Sequence, residues 1–569
     1  MNRLVNIFAL GLLFMYSCES FPQASESEKE IQQPNILWLI AEDMSPYLAA
    51  FGDSTIRTPN IDRLAAEGVR YTQVYSPSGV CAPSRAALAT GMYPSSIGAN
   101  HMRTNSFTEV TGLPPYEAVP PAEVKMFNEW LRQQGYFCTN NSKEDYQFKA
   151  PLTAWDENGP FAHWRNRNSN QAFFSVFSFM TTHESGLFEP YGMLKNEKRL
   201  YQAGDTTYQL GHPYAKTPEA ETPIHIASDT IFPIPPYLPD NEVVRRDLWK
   251  MYNNIAEMDK QIGAILDQLE EDGLLETTFI FFFADHGGPL PRQKRLIYDS
   301  GLRVPMIIRY PDKKFAGSID EQLISFVDFA PTVLKLADVS IPGYMQGQTF
   351  IDNDKSERKY IHAAADRFDA FTDVIRAVRD NRFKYIRNYR PDQGYYLPVS
   401  FRERIPTMAE LLRLKDEGEL NETQSLWFRD KKEPEELYDC INDPHELNNL
   451  AASPEYKEKL EELSKEMDRW LEEISDNPGK EERDLISELW KGATEQPQTA
   501  DPEYNVEGGR LHIRCKTDGA SIAYKLKSSE SGPWKIYKDP IEVLPGTDIE
   551  IKAHRIGYLS SNTLTFSQK

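Results

Sequence analysis

Cysteine is scarce in this chain: five in 569 residues, at positions 18, 81, 138, 440 and 515. An odd number at wide spacing does not describe a disulfide framework, and no Cys-x-x-Cys pair suggests zinc. Positive charge is also short, with 63 Lys and Arg against 85 Asp and Glu and a formal net charge of −22. That balance argues against a general nucleic-acid or anionic-membrane binder. It also demands that any site for an anionic substrate be a local basic pocket in an acidic surface. No segment after the N-terminus is long and apolar enough to cross a bilayer. No repeat of the whole chain is found.

The N-terminus itself reads as a secretion signal, with Arg3 as its positive region and Val5 to Met15 as a short apolar run. Ser17-Cys18 follows and resembles a lipobox. Cys18 is therefore expected to be the lipidated first residue of a bacterial lipoprotein, in the periplasm or on the outer membrane. The alternative is plain signal cleavage with Cys18 discarded. One lipid group on a polar tether is an anchor to the membrane and not a span.

Hydrophobic residues make up 40 % and aromatics 12 %, enough to bury a large core in more than one domain. Three short apolar runs read as buried strands: Asn35 to Ile40, Ala172 to Met180, and Thr277 to Ala284. Before the third, Leu248, Met251, Ile255, Met258, Ile262, Ile265, Leu266 and Leu269 recur at helical spacing until Gly273. Strands alternating with helices predict an α/β domain with a large, mainly parallel, helix-flanked sheet. Val374 to Tyr389 reads as a hairpin about Asp380-Asn381, and Ala451 to Ile474 as a charged amphipathic helix. The expected organisation is a signal peptide (1–18), a tether (19–33), a catalytic α/β domain (34–355), a smaller α+β subdomain (356–475), a linker (476–505) and an appended all-β module (506–569).

All three buried runs end in ionisable residues: Glu42-Asp43, His183-Glu184 and Asp285-His286-Gly287-Gly288. Ligands bind at the carboxyl ends of strands in open α/β sheets, so these groups converge if the strands are neighbours. Hard oxygen donors suit Ca²⁺ or Mg²⁺. Taken singly, each is as well explained by an ordinary strand-to-loop transition. In the segment from Cys81 to Gly91, Pro83 and the run Ala86-Ala87-Leu88 predict a helix. Its N-terminus would favour an anion, with Cys81 at that end and Arg85 one turn on.

The full string Cys81-Ala82-Pro83-Ser84-Arg85-Ala86-Ala87-Leu88-Ala89-Thr90-Gly91 resembles the signature of the type I sulfatases at every fixed position. The resemblance implies an alkaline-phosphatase-like fold. It also implies that a maturation enzyme converts Cys81 to formylglycine, whose hydrated gem-diol attacks sulfur. Asn35-Ile36-Leu37 leading to Glu42-Asp43 resembles the family's first strand, with Glu42 where Asp is usual. Asp285-His286 matches its late metal-binding pair. The implied metal set is Glu42, Asp43, Cys81, Asp285 and His286 around one divalent cation, most readily Ca²⁺. Lys294, in Lys294-x-x-x-Tyr298-Asp299-x-Gly301-x-Arg303-Val304-Pro305, matches the sulfate-touching Lys. Lys143 lies where the family has Gly-Lys-x-His, with Asp145 in place of that His. His183 matches the sulfate-facing His, able to protonate the leaving alcohol. The implied catalytic set is Cys81, Arg85, Lys143, His183 and Lys294. For Lys143 and Lys294 the plain alternative is a solvated surface charge.

The expected substrate is a sulfated carbohydrate, such as a fragment of ulvan, carrageenan or a glycosaminoglycan. Alternatives are an N-sulfoglucosamine sulfamidase, since Cys138 to Tyr146 resembles heparan N-sulfatase-like chains, a phosphoesterase or phosphonate hydrolase of the same superfamily, and a non-catalytic glycan-binding lipoprotein. His101 and Arg103 follow the signature helix and are expected to bind the sugar or an adjacent uronate. Structural loop contacts explain them equally well.

Overall fold

A computed structural model describes residues 33–189, 191, 198–203, 206–211, 223–351, 357–527 and 532–568. The expected signal peptide, the lipidation site Cys18 and the tether up to residue 32 lie outside the described residues.

The central sheet contains β1 (Asn35–Ala41), β2 (Val69–Tyr75), β3 (Phe137–Asn141), β4 (Glu157–Asn158) and β5 (Phe173–Phe179). A separate antiparallel hairpin, β6 (Lys198–Ala203) with β7 (Thr206–Gly211), intervenes in the chain. The sheet is completed by β8 (Thr278–Ala284), β9 (Arg303–Arg309), β10 (Ser318–Asp320) and β11 (Ile324–Ser325). Its order is β10-β2-β9-β8-β1-β5-β3-β4, with β11 beside β2. All neighbours run parallel except β9, which is antiparallel to both β2 and β8.

The apolar runs become the middle of the sheet because a parallel strand covered on both faces has no position for a polar side chain. Every residue of β1 is buried. Trp38 of β1 meets Phe174 of β5 and Phe283 of β8 at ring-centroid distances of 5.1 and 5.3 Å. The long apolar periodicity forms one helix, Glu242–Glu271, started by Asn241, whose side chain accepts the Val244 N–H at 3.1 Å.

Register decides where the functional residues emerge. Ala41 of β1 pairs with Phe179 of β5 on one side and with Ala284 of β8 on the other. The three strands thus end level, and residues 42–43, 180–184 and 285–286 leave the sheet at the same edge.

The C-terminal part adds an antiparallel sheet of β12 (Ile361–Ala365), β13 (Ile375–Arg379), β14 (Phe383–Asn388) and β15 (Glu435–Asp439). The amphipathic helix Lys457–Glu473 packs on it, with Trp470 stacked on His362 at 4.8 Å. Within the stretch that reads as a linker, Glu482–Leu489 forms a helix whose Glu482 carboxylate binds Arg367 and Tyr116. Residues 503–567 form two small sheets around Leu511, Ile513, Val543, Ile549, Ile551 and Phe566. Arg555 ties this module to the α/β part by donating to the Pro120 carbonyl at 2.9 Å. Cys81, Cys138, Cys440 and Cys515 are all free thiols.

Candidate active site

The Cys81–Thr90 helix is buried along its whole length. Its N-cap, Val80, supplies no side-chain hydrogen bond, so the first N–H groups stay available to an anion. Gly91 ends it in the left-handed region (φ 68°) and donates its N–H to Ala87 at 2.9 Å. Cys81 occupies the first helical position, with its sulfur 3.3 Å from His286 Nε2 and 4.0 Å from Asp43 Oδ1.

The three strand ends meet this helix. Asp43 is itself left-handed (φ 47°), a conformation that Asp tolerates, and its N–H donates to Asp285 Oδ1 at 3.0 Å. His286 Nε2 lies 3.1 Å from Asp43 Oδ1 and 3.7 Å from Asp285 Oδ1. Its Nδ1 lies 3.0 Å from the Gly287 carbonyl, which fixes a proton there and turns Nε2 toward Asp43 and Cys81. Gly287 is required by close approach: a Cβ there would come within 2.1 Å of the Ser300 carbonyl oxygen.

The ligand atoms of Asp43, Cys81, Asp285 and His286 all lie within 4.8 Å of one another, and all four residues are buried. The electrostatics fit a bound cation. Burial opposes charge on Asp43, yet Lys294, His183 and His286 hold its carboxyl well below the usual range. Asp285 is lowered in the same way, by His286 and Arg85. Burial would keep the His286 ring neutral, but Asp285, Cys81 and Asp43 outweigh it and raise its pKa to about 10. Anions that recruit a proton onto a buried imidazole call for positive charge at that place, and two carboxylates with one imidazole form a donor set for a divalent ion. Glu42 stands beside this cluster and not in it. Its carboxylate is bonded to Arg85 and Lys143, while burial pushes its pKa up.

The cationic residues gather here too. Arg85 Nε donates to Asp285 Oδ2 at 3.2 Å, and Lys143 Nζ lies 3.9 Å from the same oxygen. Lys294 Nζ contacts both Asp43 oxygens, at 2.9 and 2.7 Å, and lies 3.2 Å from His183 Nε2. Burial and then Lys294 lower the His183 pKa to about 3, so the ring is neutral near pH 7. These lysines are not solvated surface charges: Lys294 is 2 % exposed.

The two loop residues part company. Arg103 is half-exposed, bonds Asp145 at 3.1 Å, and lies close enough to Cys81 for that sulfur to act on its charge. His101 is buried, and its Nδ1 accepts the Arg367 N–H at 3.2 Å; that contact belongs to the scaffold. Sequence reasoning missed Arg295, which bridges Glu184 and Asp369 at 2.9 Å and so clamps the His183 loop. Its position next to Lys294 is the single sequence signal that could have drawn attention to it.

Comparison with known proteins agrees with this geometry. The sulfatase family model matches residues 34–339, and the C-terminal model of N-sulphoglucosamine sulphohydrolase matches residues 292–399. An ulvan-active sulfatase from Formosa agariphila is 59 % identical over 582 aligned positions, covering 100 % of this chain and 98 % of the relative. Human N-sulphoglucosamine sulphohydrolase is 24 % identical over 78 % of this chain and 90 % of its own. A solved protein in complex with its substrate D-glucosamine-2-N,6-O-disulfate has the same fold, with a TM-score of 0.53, 20 % identity and coverage of 79 % of this chain and 100 % of its own. A family match from the first strand of the sheet to residue 339, together with full-length identity of this order, makes the chain a member of the sulfatase family, the sulfuric ester hydrolases.

Proposed function

We propose that this sulfatase removes sulfate esters from oligosaccharides of a sulfated polysaccharide of the ulvan type, with Cys81 matured to formylglycine and one Ca²⁺ as its metal. The observation that carries the reading is the convergence of Cys81, Asp43, Asp285 and His286 at one buried point ringed by Arg85, Lys143, His183 and Lys294. The 59 % identical relative named for ulvan supports the substrate class.

Asp43, Asp285, His286 and residue 81 would hold the metal, and Glu42 would join them only by turning from Arg85 and Lys143. Formylglycine would supply the hydrated-aldehyde nucleophile, and the metal the charge that lowers its pKa and offsets the sulfate oxygens. The protein's own groups do the rest. Glu42, Asp43 and Asp285 balance the charges of Arg85, Lys143 and Lys294, so a divalent ion leaves the site with an excess positive charge suited to a sulfate ester. Arg85, fixed by Asp285, and the two lysines are preorganised around the position of the sulfuryl oxygens, where charge accumulates. His183 is neutral in the free protein. An anion bound beside Lys294 draws its pKa up, which equips Nε2 to deliver a proton to the leaving oxygen. Arg103, on the rim beside Asp145, contacts the sugar.

The match to an N-sulphoglucosamine sulphohydrolase C-terminal region favours sulfamidase action as the second reading. Cys18 would carry the lipid that holds the enzyme on a membrane facing the periplasm or the outside. Cys18→Ala would then move the protein into the soluble periplasmic fraction, and no redistribution refutes the anchor. The substrate reading is tested by a desulfation screen across defined ulvan, carrageenan and glycosaminoglycan oligosaccharides and N-sulfoglucosamine. Release of O-sulfate from ulvan fragments is expected. Release confined to N-sulfate, or to phosphate esters, overturns it.

A further inference from the structure

The acids and bases around Cys81 are paired within the protein, but one guanidinium within reach of the charges on Glu184 and Arg295 is not. Arg402 follows Phe401, whose ring lies 6.2 Å from that of His183 and 5.0 Å from that of Phe188. Arg402 is 4 % exposed. Its guanidinium lies over Trp427 and Tyr396, 4.8 and 5.4 Å from the ring centres. Nη2 donates to the Leu397 carbonyl, while Nε is buried without an acceptor. Among the described residues no carboxylate forms an ion pair with it. Glu184 and Asp369 are near enough to act on its charge, but both are already bridged by Arg295, which repels it. Burial and Arg295 together lower its pKa to about 10.

Buried charges in proteins are as a rule paired, because an unpaired one forfeits its hydration. Here the chain as a whole carries a net charge of −22, and still leaves a cation without a carboxylate partner on the residue next to Phe401, whose ring packs on His183. The rings of Trp427 and Tyr396 flank the guanidinium carbon, which leaves the unpartnered Nε as the donor able to recognise an oxyanion. His183 is the group assigned above to the leaving oxygen, so the segment that carries Phe401 and Arg402 borders the part of the site that receives the sugar.

We propose that Arg402 binds a second anionic substituent of the substrate, a uronate carboxylate or a non-scissile sulfate, on the leaving-group side of the scissile bond. The proposal rests on the placement of His183 in the sulfatase reading. Its role is specificity: energy from a remote anion is used to hold the reacting ester in place, so kcat falls together with affinity when that contact is lost.

The test compares wild type, Arg402→Gln and Arg402→Lys on four substrates. These are a sulfated ulvan oligosaccharide, its carboxyl-reduced form, a form stripped of non-scissile sulfate, and p-nitrophenyl sulfate. Arg402→Gln is expected to lose about tenfold or more in kcat/KM on the intact oligosaccharide, and at least about fivefold less on p-nitrophenyl sulfate, with Arg402→Lys between. The modified oligosaccharide on which this difference vanishes names the anion. Equal losses on all four substrates overturn the proposal and make Arg402 a structural residue. Should the Gln variant fold poorly, the Lys variant carries the comparison. Isothermal titration of the intact and carboxyl-reduced oligosaccharides into Cys81→Ala protein, with and without Arg402→Gln, reads the same contact without turnover. Wild-type protein inactive on every sulfate would sink the functional reading, whereas an Arg402-independent affinity would sink only this one.

Discussion

Among the described residues, two charged clusters that share no residue satisfy the same geometric condition for holding a metal, and they differ in how their acids are paired. Around residue 81, the ligand atoms of Asp43, Cys81, Asp285 and His286 converge. Where β14 and β15 meet the loop before β9, those of Asp299, Cys440 and Glu446 converge as tightly. In the second cluster Lys384 Nζ sits 2.6 Å from Asp299, 2.7 Å from Glu446 and 3.1 Å from the Ile297 carbonyl, and Arg379 Nε lies 3.2 Å from Asp299. The chain has supplied its own cation at the centre. In the first cluster the anions instead drive the pKa of a histidine to about 10. Closeness of acids therefore does not mark a metal centre; what separates the two is that one lysine bonds both acids of the second cluster, whereas Asp43 and Asp285 are held by different cations and share only His286 Nε2 between them.

That contrast breaks most readily at Asp285. Asp285→Ala should lower kcat/KM by about 10²-fold or more, and chelation of the wild type should do the same, because the first removes a ligand of the cation and the second the cation whose charge the transition state needs. Metal content by elemental analysis should fall in parallel. Turnover that survives in metal-free protein would erase the distinction between the two clusters.

The opposite outcome is expected at Lys384. Lys384→Met strands Asp299 and Glu446 in the interior and should cost about 3–5 kcal/mol of stability, measured by urea unfolding. Added Ca²⁺ should not restore it. Recovery by Ca²⁺ would mean that the second cluster is also a cation site.

Histidines sharpen the comparison further. Burial lowers both His183, in the site, and His163, in the core beside Gln268, to about 3. Each is neutral when folded but takes a proton near pH 6.5 when unfolded. Their contribution is therefore present above pH 6.5 and is lost as pH falls, by about 1–2 kcal/mol per residue at pH 5. Thermal unfolding across pH 5–8 should show this slope, reduced in His163→Gln and in His183→Gln. Inorganic sulfate, bound beside Lys294, should flatten only the part due to His183. An equal effect on both histidines would remove His183 from the anion site.

The smallest effects belong to the rim. Arg103→Ala should reduce turnover of a sulfated oligosaccharide about fivefold more than that of p-nitrophenyl sulfate, the scale of one partly exposed charged contact. His101→Ala, which loosens the Arg367 backbone, should lower the melting temperature and affect both substrates alike.

The middle of the fold was legible because Asn35–Ile40, Ala172–Met180 and Thr277–Ala284 are uninterrupted apolar runs, and a run buried on both faces can scarcely be anything but a central parallel strand. The residues that end those runs were legible for the same reason, once β8, β1 and β5 proved adjacent and level. The antiparallel strand β9 was not, because its apolar stretch Arg303–Arg309 carries no sign of direction. Pairings across long separations were equally hidden: Arg295 with Asp369, Arg367 with Glu482, and Glu42 with both Arg85 and Lys143. An ion pair leaves no local pattern, so neither Arg295 nor the solitary Arg402 stood out. For the same reason the Pro- and Gly-containing stretch after residue 475 read as a linker, although Glu482 buries its carboxylate against Arg367.

The central claim is that residue 81 acts as a matured nucleophile, and mass spectrometry of the tryptic peptide Tyr71–Arg85 tests it most directly. Protein produced together with a formylglycine-generating enzyme should carry an aldehyde in place of the Cys81 thiol, and kcat per mole should rise in proportion to the converted fraction. Full activity from a preparation whose Cys81 remains an intact thiol would contradict the account.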